Sequence, residues 1–208
     1  MKFSCEKALL QSMITIASRA VAPKSTIPAL EGVLLEAEQE LNLTGYNLKT
    51  GIRGTISADI AEPGSIVLSA RLFGDIIRRL PDDMVTLSTD DLMVNITCGM
   101  SEFNILGMDP SQFPELPAVE YQNSMILPQR ILHSMITETI FAVSTNDSRP
   151  IHTGELFERN GEGLLTVVAV DGYRLALRRE TTQLNVSETA CQFVIPAPAL
   201  NEVSKICG

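Results

Sequence analysis

The chain has 208 residues, with 16 Lys and Arg against 25 Asp and Glu and a formal net charge of −9. At about 100–200 residues per domain, this length holds one large or two modest domains, and 45% apolar against 20% charged residues excludes wholesale disorder. The acidic balance speaks at first against a nucleic-acid binder, because such domains ordinarily carry an excess of Lys and Arg.

The opening residues, Met1 to Met13, contain no uninterrupted apolar run, and no stretch approaches the ~18 apolar residues of a membrane span. A soluble, cytoplasmic chain is expected. The first predicted helix covers residues 7–20, with Leu9, Met13, Ile16, Ala17 and Ala20 on one face and Lys7, Gln11, Thr15, Ser18 and Arg19 on the other. Gly32–Glu36 and Leu41–Thr44 then alternate at period two, as half-buried strands do. The second helix, 70–80, buries Leu72, Phe73, Ile76, Ile77 and Leu80; the turn Pro81-Asp82-Asp83 leads into a strand at Met84–Ser88. A Pro-rich acidic stretch from Met108 to Pro117 places a linker at about 108–122.

The third helix, 128–142, has Pro128 in its first turn and a stripe of Ile131, Leu132, Met135, Ile136, Thr139 and Ile140. A turn is expected at Glu158-Arg159-Asn160-Gly161, and a fourth helix, 198–206, carries Leu200, Val203 and Ile206. The pattern implies an α+β class of antiparallel sheets covered on one side by two helices per unit.

The chain also repeats itself. Leu10-Gln11-Ser12-Met13-Ile14-Thr15 returns as Leu132-His133-Ser134-Met135-Ile136-Thr137, an offset of 122 that holds without a gap for 27 positions. Ile66 to Ala70 match Phe193 to Ala197 at an offset of 127. Two domains follow, 1–120 and 123–208. Each copy is itself doubled, since a strand, a helix and several strands occur twice. The second copy lacks a counterpart of residues 81–116, so a longer protein is expected. Cys5, Cys98, Cys191 and Cys207 are far apart and stand beside only two histidines, which argues against a disulfide framework or a structural zinc site; no metal and no cofactor are expected. Four N-x-S/T sequons, without a secretory signal, are read as chance matches.

Several segments carry a family resemblance: Met1-Lys2-Phe3, Ser25-Thr26-Ile27-Pro28-Ala29-Leu30, Phe113-Pro114-Glu115-Leu116-Pro117, Ser148-Arg149-Pro150, Ala169-Val170-Asp171-Gly172-Tyr173-Arg174-Leu175-Ala176 and Phe193-Val194-Ile195-Pro196. In this order and spacing they resemble the bacterial DNA polymerase III beta subunit, the sliding clamp. The resemblance implies three repeated domains in a head-to-tail homodimeric ring around duplex DNA, with two amphipathic helices per domain facing the pore. This chain would supply the first domain and most of the second, with the third absent.

The resemblance further implies DNA contacts at Lys24, Arg71, Asn146, Arg149 and Tyr173. A pocket at His152, Val170, Gly172, Arg174 and Leu175 would capture short peptide motifs of the replicative polymerase alpha subunit, the clamp loader, repair polymerases and mismatch-repair proteins. A dimer interface is implied at Leu72, Ile76 and Phe103. The activity implied is that of a non-catalytic processivity factor of a DNA-directed DNA polymerase holoenzyme. Lys24 stands where well-known members have Arg, His152 where an apolar residue is common, Val170 where Thr is common and Tyr173 where others place His.

Charge segregation fits that implication. The four helix segments hold Lys7, Arg19, Arg71, Arg78, Arg79, Arg130 and Lys205 against Asp75, Glu138 and Glu202, a net +4 that leaves −13 for the remainder. Such charges can equally be the solvated faces of amphipathic helices, and Val170 and Leu175 can equally be strand core. Two further readings stay open: a protein-binding scaffold that never encircles DNA, and a hydrolase using Asp171, His152 and Cys191, although no GxSxG, HExxH or P-loop accompanies these residues.

Overall fold

The computed structural model describes residues 1–118, 125–161, 163–181 and 190–207. They form two compact units, Met1–Pro117 and Ala118–Gly208. In the first, β1 (Lys2–Glu6) runs into α1 (Lys7–Ala17), which a 3-10 turn, Ser18–Ala20, prolongs; β2 (Gly32–Ala37), β3 (Leu41–Tyr46), β4 (Gly51–Ile56) and β5 (Asp59–Glu62) follow. The scheme then recurs as β6 (Gly64–Ser69), α2 (Ala70–Arg79), β7 (Met84–Asp90), β8 (Met93–Cys98) and β9 (Ser101–Leu106).

The sheet orders are β5-β1-β7-β8-β9 and β4-β3-β2-β6, antiparallel throughout. The opening strand of each half is lent to the other half's sheet: β1 pairs with β7, and β6 with β2. Neither half can therefore close its own sheet, and both share one core. Phe3 from β1, Leu10 and Ile14 from α1, Phe73 and Ile77 from α2, and Leu35, Leu68 and Leu87 from the sheets are all buried in it.

The buried stripe of α1 is turned by one residue from the expected one. Leu10, Met13, Ile14 and Ala17 face the core, Leu9 is 42% exposed, and Ile16 is half-buried. One residue is about 100° of helix. The reason lies in the sheet beneath: a Cβ on Gly54 would run into the side chain of Met13, and one on Gly45 into the carbonyl of Ala17. These two glycines leave the space in which α1 seats. In α2, Phe73, Ile76 and Ile77 are buried as expected, as is Leu80 just after its last turn, and Leu72 is 47% exposed.

The second unit contains α3 (Gln129–Thr139) with a 3-10 turn at Ile140–Ala142, β10 (Gly154–Arg159), β11 (Leu164–Val170), β12 (Leu175–Thr181), β13 (Cys191–Pro196) and α4 (Ala197–Ile206). Its sheet order, β12-β11-β10-β13, reproduces β4-β3-β2-β6. Even the register returns, with Leu34 opposite Val67 in one unit and Leu156 opposite Val194 in the other. Met135, Ile136, Phe157, Leu165, Val167 and Leu200 form its core. Glu158 and Arg159 complete β10 rather than starting the turn; Asn160 closes that turn, its amide N–H donating to the Leu164 carbonyl at 3.1 Å. The first residues of the expected linker, 108–117, pack on the first unit, and its last residues, 119–122, lie outside the described residues.

Candidate functional site

In the first unit α1 and α2 approach closely, with Gly74 of α2 over Ile14 of α1. Their solvent side forms a groove of about 630 Å³ lined by Gln11 and Thr15 of α1, by Ser18 of the turn that follows it and by Arg71, Asp75 and Arg78 of α2. Arg78 is tied to Asp75 at 3.0 Å. Arg71 and Arg79 are exposed and, among the described residues, make no ion pair. Arg71 also stands in the first turn of α2, after the Ser69 cap, where the helix dipole disfavours a cation unless an anion joins it. Lys24 is exposed on the loop whose Val21, Ala22 and Pro23 border the same groove.

The helix charges are thus less free than their count implied. Lys7 pairs with Asp82 at 2.8 Å and Lys205 with Glu202 at 2.7 Å. Arg71, Arg79 and Arg130 remain as exposed cations open to a further partner.

In the second unit a cleft of about 400 Å³ opens beside the β11–β12 turn. The turn is built by Asp171: its Oδ1 accepts from the backbone N–H of Tyr173 at 2.9 Å and of Arg174 at 3.1 Å, and its Oδ2 accepts from Arg174 Nε at 2.8 Å. These donors hold the Asp171 carboxyl below the usual carboxylate range, the Tyr173 amide first among them. Gly172 takes a φ of 94° inside the turn, a region that penalises a side chain. Arg174 lies over the ring of Phe141, 6.0 Å from its centroid.

Asn146, Arg149, His152, Tyr173 and Arg174 all line this one cleft. The structure therefore joins residues expected in two separate sites. Val170, Gly172 and Leu175 do not line it. Val170 and Leu175 are a cross-strand pair beside it, and Leu175 is 63% exposed, so it is not strand core. Phe141 and Asp171 belong to the cleft environment although neither was expected as a binding residue; the turn pattern Asp-Gly-x-Arg was a signal for the second.

Of the three expected interface residues, Leu72 is exposed on α2 and Phe103, 39% exposed, lies on β9, the edge strand of its sheet. Ile76 is buried in the unit's own core, because it shares the inward face of α2 with Phe73 and Ile77. The hydrolase arrangement does not assemble. Asp171 and His152 share the cleft, but Cys191 pairs with Arg159 at the far end of β10, five residues along β13 from Pro196, roughly 16 Å at the usual strand rise. Among the described residues no group of His, Cys, Asp and Glu is placed to hold a metal ion, and no helix is long and apolar enough to cross a membrane.

Residues 1–117 match the family of the DNA polymerase III beta subunit N-terminal domain, and residues 126–208 that of its central domain. The chain is 36% identical to the beta sliding clamp of Halalkalibacterium halodurans, covering 99% of this chain and 57% of that protein. It is 37% identical to that of Staphylococcus epidermidis, over 99% and 56% of the two. It thus spans little more than half the length of these curated relatives. Among solved structures, a putative DNA polymerase III beta subunit from Eubacterium rectale superposes with a TM-score of 0.92 at 38% identity, over 99% of this chain and 56% of that one. The sliding clamp of Bacillus subtilis superposes at 0.90 with 33% identity and the same coverage. The pairing of β2 with β6 in the first unit recurs as β10 with β13 in the second, and the chain belongs to the DNA polymerase III beta subunit family.

Proposed function

We propose that the protein acts as a DNA sliding clamp: a non-catalytic processivity factor whose closed ring tethers the replicative polymerase to duplex DNA and makes its rebinding effectively intramolecular. The observation that carries this reading is the set of exposed cations Arg71, Arg79 and Arg130, which make no ion pair among the described residues, on helices of an otherwise acidic chain. A sliding ring needs phosphate-directed charge at modest density and no base-edge readout. Lys24 and Arg71 beside the helix groove, with Asn146, Arg149 and Tyr173 at the second unit's cleft, are the proposed DNA contacts.

The same cleft, extended over Val170, Gly172 and Leu175, is the proposed seat of short peptide motifs from the polymerase alpha subunit, the clamp loader, repair polymerases and mismatch-repair proteins. His152 and Arg174 form its polar wall. Leu72 and Phe103 are proposed to pack on a third domain of a second copy in a cytoplasmic homodimer, with domains at 1–120 and 123–208. The test expresses the gene to its natural stop codon and loads the product on nicked circular DNA. Retention on the circle and loss on linearisation are expected. Equal retention on both forms overturns the clamp reading and leaves a scaffold that does not encircle DNA.

A further inference from the structure

The loop that walls the second unit's cleft runs from the end of α3 to the start of β10, and its two arms are tied at two levels. At the cleft itself, Ser144 N–H donates to the His152 carbonyl at 2.8 Å. Beneath it, the hydroxyl of Thr139, the last residue of α3, lies 2.8 Å from Glu155 Oε1, with both side chains buried. Phe141, whose ring lies under Arg174, stands between the two ties, and the cleft residues Asn146 and Arg149 stand in the loop above them. The first unit repeats the upper tie, Ala22 N–H to the Leu30 carbonyl at 3.0 Å. Its lower pair, at the same offset of 122, is Ala17 and Val33, both apolar and fully buried.

A buried carboxyl differs from that apolar pair in one respect: its charged form is costly unless a cation or several donors meet it. Glu155 Oε2 has no hydrogen-bond partner among the described residues. The charges on the elements around it are engaged elsewhere. Glu138 of α3 and Glu180 of β12 both pair with Arg178, Lys205 of α4 pairs with Glu202, and Arg174 pairs with Asp171. On β10, Arg159 shares the face of Glu155 but lies four residues on, roughly 13 Å at the usual strand rise. Opposite on β13 stands the apolar Ile195, and on the preceding segment the titratable ring is that of His152. Burial raises the Glu155 carboxyl, only the Thr139 contact opposes it, and no cation takes part. An ionised Glu155 therefore gains solvation by admitting water between the end of α3 and the start of β10.

We infer that Thr139 and Glu155 are a positioning pair for the cleft, holding the two arms of its wall together while Glu155 is neutral and releasing them when it ionises. The inference rests on the peptide reading of this cleft. Neutral Glu155 accepts from Thr139 through Oε1 without a buried charge. Parting of the arms moves Phe141, and with it the platform on which Arg174 rests, so the cleft holds a peptide less well. The first unit, with Ala17 and Val33 in these places, has no such response.

The test follows the backbone amides of the whole chain by NMR between pH 5 and pH 8. The amides of Phe141 and Ser144 should shift together with a midpoint near 7. Those of Arg19 and Ala22, their counterparts in the first unit, and of Leu165 and Val167 in the second unit's core should stay still, which separates a moving wall from a loss of fold. In Glu155→Gln the step should vanish. Thr139→Ala/Glu155→Val, which copies the first unit, should remove it as well and decides the matter should the glutamine variant not fold. A synthetic peptide of the motif by which the polymerase alpha subunit binds is the probe. It should bind the parent at least about threefold more tightly at pH 6 than at pH 8, as the competent fraction falls, and Glu155→Gln should lose that difference. A step that persists in Glu155→Gln belongs to His152 and overturns the inference, as do a parent without the step and a peptide affinity that ignores pH. If the peptide binds at neither pH while the step behaves as stated, the peptide reading of the cleft falls and the positioning pair stands.

Discussion

The hydroxyl of Thr139 lies 2.8 Å from Glu155 Oε1 and 2.6 Å from the carbonyl oxygen of Met135, with both side chains buried in the second unit. A hydroxyl has one proton, and the carbonyl can only accept. Thr139 therefore divides its single proton between two acceptors, the Met135 carbonyl and Glu155 Oε1. Oε2 of Glu155 has no partner among the described residues. The corresponding residues of the first unit, Ala17 and Val33, are apolar, so this polar pair belongs to the second unit alone.

Burial pushes the Glu155 carboxyl up to about 7 from its ordinary 4.5, against a smaller lowering by the Thr139 contact. A carboxyl raised in the folded state holds its proton there while the unfolded chain has released it, so stability is greatest below pH 4.5 and declines as pH rises to about 7. The loss is at most about 3 kcal/mol. Urea melts of the second unit at pH 5 and pH 8 should show it, and Glu155→Gln, neutral at both, should abolish the difference and be the more stable chain at pH 8.

Gly172 and Leu48 occupy the same left-handed position in their two turns. Nothing lies within 4 Å of a Cβ built on Gly172, so the cost of Gly172→Ala is backbone strain alone, about 1 kcal/mol. Leu48→Gly should gain up to about 1 kcal/mol in the first unit for the same reason. Thermal melts of the two variants should move in opposite directions.

Gly45→Ala places a methyl group against the Ala17 carbonyl, a backbone atom that cannot rotate away. The helix must lift from β3, and a loss of about 3 kcal/mol is expected from overpacking. Gly54→Ala meets only the flexible end of Met13 and should cost about 1 kcal/mol. Denaturant midpoints in that order check the assignment of these glycines as the seat of α1.

Arg71→Ala should weaken association with duplex DNA equally across sequences and lower the slope of log K against log salt by about 0.9, the signature of one phosphate contact. Arg78→Ala should change the slope less, because Asp75 already neutralises Arg78. Titrations at several salt concentrations separate the two.

The helices, most strands and the repeat were legible in the sequence because each depends on local periodicity or on identity at a constant offset, as at Leu10 to Thr15 and Leu132 to Thr137. The facing of α1 was not, since Leu9 and Leu10 are alike in chemistry and only the glycine gaps of β3 and β4 choose between them. The site was legible in part. His152 and Arg174 were expected together and are together, whereas Asn146, Arg149 and Tyr173 were assigned elsewhere and line the same cleft. Residues far apart in sequence meet through strand register, which periodicity does not specify.

By itself the sequence determined an α+β chain of two related units, its family resemblance, and a concentration of basic residues on helices within an acidic whole. Tertiary structure decided which of those cations stand outside the ion pairs, that Ile76 is core while Leu72 is exposed, that Cys191 stands apart from His152, and that Phe113 is buried among Leu30, Tyr46 and Val67. Composition and period act along the chain and survive without a fold. Ion pairing and burial are relations across it, and they exist only once the strands have paired.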